Sequence, residues 1–179
     1  MPVVVYPYDP EWKQWFLELR EPIWELLGDL VVDVVHVGST SIVGMSAKPV
    51  IDIDIVVDDW ACFTEVVERL GVLGYTHIGD LGIKEREAFK ESIPFLHPHN
   101  LYVTHVGSIA YRNHTLLKKH LTENLVDFDR YNDLKLNLAE TMDDVDSYCR
   151  AKTQLILEFL EKEGVTDEEM DIIRLENLG

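Results

Sequence analysis

Residues Val34–Val57 read VVHVGSTSIVGMSAKPVIDIDIVV, two apolar β-branched runs around a loop rich in hydroxyls. The first run ends at Val37, and the second begins at Val50 and contains Asp52 and Asp54. Side chains of an extended strand alternate between faces, so Asp52 and Asp54 share one face while Ile51, Ile53 and Ile55 share the other. A carboxylate pair inside an apolar strand is costly unless positive charge balances it. Two aspartates at this spacing can reach one divalent ion or bridge two. The competing reading is a half-exposed edge strand with solvated aspartates.

The loop between the runs adds to the case. Gly38, lacking a Cβ, permits a tight turn or close approach of a ligand to the backbone. Ser39, Thr40 and Ser41 set hydroxyls beside backbone N–H groups, a combination suited to phosphate oxygens. Gly44 permits a second turn, and Pro49 biases Lys48 toward an extended conformation before the aspartate strand.

Working outward, Val3–Tyr6 reads as a short strand or extended arm. Asp9-Pro10 reads as a helix start, with Asp9 the N-cap, for an amphipathic segment through Trp12, Phe16, Leu19, Ile23 and Leu26 to Leu27. Pro22 is expected to kink or restart that helix. A helix over Trp60–Leu73 follows, capped by Asp58 or Asp59, and then a short strand at Tyr75–Ile78. Residues 79–91 read as a polar loop leading into a strand, with Arg86 in the loop, and Leu101–Val106 as a further strand. Helices are expected from Ser108 to about Asn124, from Asp127 to about Glu140, and from Asp143-Asp144 to Glu163. Thr166 and Glu169 carry the capping-box spacing of a last helix. Tyr131 and Lys135 share one helical face, as do Tyr148 and Lys152, so each lysine lies on or beside an apolar stripe. Such a lysine either snorkels over apolar surface or points at bound phosphate.

This set of residues resembles the nucleotidyltransferase superfamily that includes DNA polymerase beta: a hydrophobic strand, Gly-Ser, then Asp-x-Asp on the next strand. More closely the chain resembles the GrpB family. The matching residues are Tyr6-Pro7-Tyr8-Asp9 with Trp12 and Phe16, His36-Val37-Gly38-Ser39-Thr40, Gly44, Lys48-Pro49 and Ile51-Asp52-Ile53. Arg86, Phe89, His99-Asn100-Leu101-Tyr102-Val103, Tyr131, Leu134-Lys135, Tyr148 and Lys152 also match. The resemblance covers the chain to about Phe159. It implies an α+β nucleotidyltransferase-like fold: a mixed sheet bearing the Gly-Ser and Asp-x-Asp motif, with helices on one face and to the side. One domain over residues 1–179 is expected, residues 1–107 forming a sheet-containing core and 108–179 a helical part packed on it.

The resemblance implies Mg²⁺ or Mn²⁺ held by Asp52 and Asp54, and a nucleoside triphosphate held by Gly38, Ser39, Thr40, Lys48, Arg86, Lys135 and Lys152. His36 or His99 would act as general base or outer ligand. The third carboxylate usual in the superfamily has no counterpart between Ser92 and Gly107. A histidine completes the site, or Asp80, Glu85 or Glu87 reaches in, or the site is catalytically degenerate. GrpB-like domains also occur fused to dephospho-coenzyme A kinase, which points to a small-molecule nucleotide setting.

Two functions follow. One is transfer of a nucleotidyl group to a small-molecule or protein acceptor. The other is nucleotide or metal binding without turnover, acting through a partner protein or a second copy of the chain. The formal net charge of −17 disfavours extended nucleic acid. No apolar stretch is long enough to cross a membrane and no signal sequence is evident, so a cytoplasmic location is expected. Cys62 and Cys149 lack metal-type spacing and read as buried thiols in a reducing compartment.

Overall fold

The computed structural model describes residues 4–142 and 145–178. The architecture is α+β. In chain order the elements are α1 (Glu11–Leu27), β1 (Asp33–Val37), β2 (Ile51–Val57), α2 (Phe63–Val72), β3 (Tyr75–Gly79), β4 (Arg86–Glu91), β5 (His99–His105), α3 (Ile109–Glu123), α4 (Leu125–Thr141), α5 (Val145–Lys162) and α6 (Asp167–Leu178). The strands form one mixed sheet in the order β1-β2-β5-β4-β3, in which β2 and β5 are parallel and the other pairs antiparallel.

β2 lies inside the sheet, paired with β1 on one side and β5 on the other. Asp52 and Asp54 are therefore not solvated edge residues. Ile51, Ile53 and Ile55 are fully buried with Leu19 and Ile23 of α1 and Val66 and Leu70 of α2. Burying each such side chain contributes about 1.5–3 kcal/mol, which fixes the register and turns both aspartates to the opposite face. Helix α3 covers that face, joined to Asp54 through His114, and α4–α6 pack behind it. Helices thus lie on both faces of the sheet, where one face and the side were expected. β2 needs this second cover because Asp54, on its aspartate face, is buried too.

Helix α1 runs unbroken through Pro22. Pro22 is on the exposed side, where water can satisfy the carbonyl its ring frees, while Ile23 and Leu27 anchor the buried side. Asp9 accepts a hydrogen bond from the Glu11 N–H at 2.9 Å, and Pro10 takes the cap position. The N-terminal arm joins the fold through one antiparallel bridge, Tyr6 to Ala47; Val3 lies outside the described residues. Arg86 is the first residue of β4 and not a loop residue. Asp127 sits in the first turn of α4, after Asn124, and is drawn inward to His120 and Lys162 instead of capping. The Asp143-Asp144 helix start lies outside the described residues. Thr166 and Glu169 form the capping box, each backbone N–H bonded to the other's side chain. Cys62 is half-buried and Cys149 exposed on α5, so neither is the buried thiol expected. Among the described residues no helix is long and apolar enough to cross a membrane.

Candidate functional site

Val37 and Asp52 are register partners, so the end of β1 lies beside the first aspartate. Gly38 there adopts φ +71°, and a Cβ on it would stand 2.3 Å from Asp52 Oδ2. Only glycine allows this turn and this carboxylate together. A single helical turn over Ser39–Ser41 follows, closed by Ser41 Oγ donating to the Gly38 carbonyl at 2.7 Å.

Asp52 Oδ1 accepts a hydrogen bond from Asn100 Nδ2 at 2.8 Å. Burial nevertheless pushes its carboxyl above the usual range, against the lowering effect of Asn100 and His114. Asp54 is completely buried. Its Oδ2 bonds His114 Nδ1 at 2.7 Å, and its Oδ1 has no hydrogen-bond partner. Burial disfavours the charged form of His114, but the charge and hydrogen bond of Asp54 outweigh it and raise its affinity for a proton. The β5 partners of Asp52 and Asp54 are Asn100 and Tyr102, so no carboxylate stands there. Among the described residues no three His, Cys, Asp or Glu side chains form a metal-binding group. Asp52 lines both cavities described below and could serve as a ligand to a divalent ion of the Mg²⁺ type, which takes one or two carboxylates and completes its shell with phosphate and water, whereas Asp54 lines neither cavity.

A cavity of about 420 Å³ opens over Asp52, lined among others by Ser39, Thr40, Lys48, Lys135 and Lys152. All three lysines rest on tyrosine rings. Lys48 and Lys152 lie 5.7 and 4.4 Å from the Tyr148 centroid, and Lys135 lies 5.1 Å from that of Tyr131. None of them forms an ion pair among the described residues. Lys135 is buried and donates to the Ser46 carbonyl. Burial, then the charge of Lys152, lowers its pKa to about 6. A second cavity of about 150 Å³ adjoins the first and shares Ser39, Asp52 and Lys152 with it. Gly38, His114 and Lys118 also line it.

The remaining candidates lie apart. His36 pairs in register with Ile53 and so belongs to the core face. It stacks on Phe16 at 4.7 Å and bonds Thr40 Oγ1 through Nε2 at 2.9 Å. Burial, then Lys118, lowers its pKa to about 4. His99 sits opposite Ile51 on that same face, bonded to the Tyr75 hydroxyl and the His97 carbonyl. Both histidines were expected at the aspartates, and the two-residue period of their strands turns them away. Arg86 is on the aspartate face, but its guanidinium lies over Tyr102 at 4.4 Å and lines neither cavity. Asp80 caps the Gly82 N–H, Glu85 is exposed and Glu87 pairs with His77, so none supplies a third acid. The histidine at the site is His114, unmarked in the sequence because only the path of α3 brings position 114 to position 54.

The GrpB protein family model matches residues 2–162. The chain is 33% identical over 168 residues to UPF0157 protein BH1888 of Halalkalibacterium halodurans, covering 92% of this chain and 84% of that one. It is 31% identical to the glutamate-rich protein GrpB of Alkalihalophilus pseudofirmus, covering 88% and 94% respectively. The crystal structure of the conserved protein GrpB from Enterococcus faecalis superposes with a TM-score of 0.77 at 25% identity, over 90% of this chain and all of that one. On sequence and fold alike, the chain belongs to the GrpB family.

Proposed function

We propose that the protein binds a nucleoside triphosphate with Mg²⁺ or Mn²⁺ over Asp52 and transfers its nucleotidyl group to an acceptor. The observation that carries this is the convergence on one cavity of three lysines that form no ion pair among the described residues. The chain holds 33 acidic residues against 16 lysines and arginines. Most of its lysines form no ion pair among the described residues, and what marks these three is that they converge on one cavity beside Asp52. Tyrosine rings orient the Lys48 and Lys152 ammonium groups without using up their N–H donors, and a bound phosphate would favour the charged form of Lys135, which already donates to Ser46. Ser39 and the turn after Gly38 supply further donors at the Asp52 end. The bound ion would neutralise the phosphates and stabilise charge on the attacking and leaving oxygens. Asp52 would hold it, and the lysines would keep the phosphate chain in line.

A second reading, binding without turnover, draws on the Asp54–His114 bond and on Asn100 and Tyr102 where a third acid would stand. It predicts the same binding and no product. Calorimetry with the common nucleoside triphosphates and Mn²⁺ tests the shared part. Lys152→Ala should weaken binding at least tenfold, the loss of one charge-assisted contact of about 1.5–3 kcal/mol. Asp52→Asn should abolish the rise in melting temperature caused by Mn²⁺. Since burial raises the Asp52 pKa, ionising it costs stability at neutral pH, and the asparagine variant should match or exceed the metal-free parent. Equal nucleotide affinity in wild type and Lys152→Ala, or a parent indifferent to Mn²⁺, overturns the proposal. Incubation with α-labelled nucleotide and a metabolite pool separates transfer from binding alone.

A further inference from the structure

We infer that the smaller cavity is the acceptor pocket, and that it takes a small molecule carrying a hydroxyl and a separate anionic group. This rests on the nucleotide reading above. The two cavities meet at Ser39, Asp52 and Lys152, so ligands in each would face one another across the Asp52 carboxylate. The larger space holds the unpaired lysines and suits the triphosphate. The smaller, at about 150 Å³, is the volume of roughly five waters at about 30 Å³ each, which suits a compact metabolite and not a polymer end.

Its chemistry is amphipathic. Helix α3 contributes His114, Leu117, Lys118 and Leu121, at spacings of three, four and seven residues along one helical face. Ile42, Leu117 and Leu121, which pack in one cluster, offer apolar wall to a carbon skeleton. Lys118 Nζ donates to the His36 carbonyl at 2.9 Å and forms no ion pair among the described residues. An ammonium has three donors, so two remain for a carboxylate or phosphate on the acceptor. The chain's net charge of −17 works against a polyanionic acceptor and leaves a small anion steered by Lys118 and Lys152 admissible.

In the transfer, the acceptor's hydroxyl oxygen forms a bond to the α-phosphorus. The bond from that phosphorus to the bridging oxygen breaks, pyrophosphate leaves with the electron pair, and the hydroxyl proton passes to water.

The test uses wild type, Leu117→Trp, which fills the pocket, and Lys118→Met, which removes the charge at similar length. Each is saturated with Mg²⁺ and an α,β-methylene nucleotide. Binding of glycerol 3-phosphate, glycerate and ribose 5-phosphate is then measured by calorimetry. At least one probe should bind wild type, and both variants should weaken it tenfold or more while nucleotide affinity changes less than twofold. Lys118→Met stands alone if Leu117→Trp does not fold. Nucleotide affinity falling tenfold in Lys118→Met would show that the nucleotide fills both cavities and overturn the inference. So would a nucleotide-loaded wild type that binds no probe, binding unchanged by Lys118→Met, or label passing to an oligonucleotide or protein and not to the probes. A wild type that binds no nucleotide brings down the nucleotide reading first, and this inference with it.

Discussion

The two faces of β2 are built from alternate residues of one seven-residue strand, yet they share almost no chemistry. One face presents Ile51, Ile53 and Ile55 to α1 and α2 and forms a dry core. The other presents Asp52 and Asp54 to Asn100, His114 and a lysine-lined cavity. The first face is satisfied by shape alone. The second is incomplete, with a buried carboxylate oxygen unbonded and a lysine held below its ordinary pKa. Natural proteins keep such local costs where a ligand relieves them. A strand's period of two separates what stabilises the sheet from what it is for.

The contrast breaks most visibly on the dry face. Ile53→Ala removes a fully buried side chain, and a loss of about 2–5 kcal/mol is expected. Nucleotide affinity of the folded fraction should stay within twofold, as read by denaturant melts and calorimetry on one preparation. A matched loss of affinity would mean that the faces are coupled. Gly38→Ala acts at the boundary. Its positive φ and the 2.3 Å approach to Asp52 Oδ2 predict a cost of about 1–3 kcal/mol. Here affinity should fall with stability, since the new methyl group must displace the carboxylate.

The smallest effect sharpens the comparison by its sign. Lys135 has a folded pKa of about 6 against an ordinary 10.5. Between those values the unfolded chain binds the extra proton, so the cost of burying Lys135 is full below about pH 6, fades steadily as pH rises above that, and is gone by about 10.5. Lys135→Met should melt higher than the parent at pH 7 by at least roughly 2–4 °C, for a gain on the order of 1 kcal/mol. That advantage should vanish near pH 10.5. A methionine variant that melts lower at pH 7 would show that Lys135 stabilises the fold.

Strands β1 and β2 were legible because hydrophobic alternation in Val34–Val37 and Val50–Val57 has one low-energy outcome, whereas β4, Arg86–Glu91, lies in the stretch read as a polar loop because only Ala88 and Phe89 mark it as apolar. The shared face of Asp52 and Asp54 follows from the same period. The histidines were misread for want of register. His36 and His99 are near Asp52 in sequence pattern, but their parity on β1 and β5 sends them to the core, and parity across strands is not set by any local signal. His114 was missed because a helix crossing is a tertiary fact. The amphipathic stripes did reveal Lys135 and Lys152, since a cation on an apolar stripe is a local anomaly.

The placing of β5 has a consequence for how the chain reaches this structure. β1–β2, β3–β4 and β4–β5 are each joined by local connections, but β5 must also pair with β2, across the intervening α2, β3 and β4. The Asn100–Asp52 bond spans 48 residues and the His114–Asp54 bond 60. Loop closure over such distances is slow compared with hairpin formation. Until it happens, the β1–β2 hairpin stands with an open edge at β2, the strand that carries the run of isoleucines. On a ribosome that interval lasts until residues past His105 have emerged. A nascent chain stalled before β5 would be an aggregation hazard, and the charge of its acidic residues is the repulsion available to hold such chains apart.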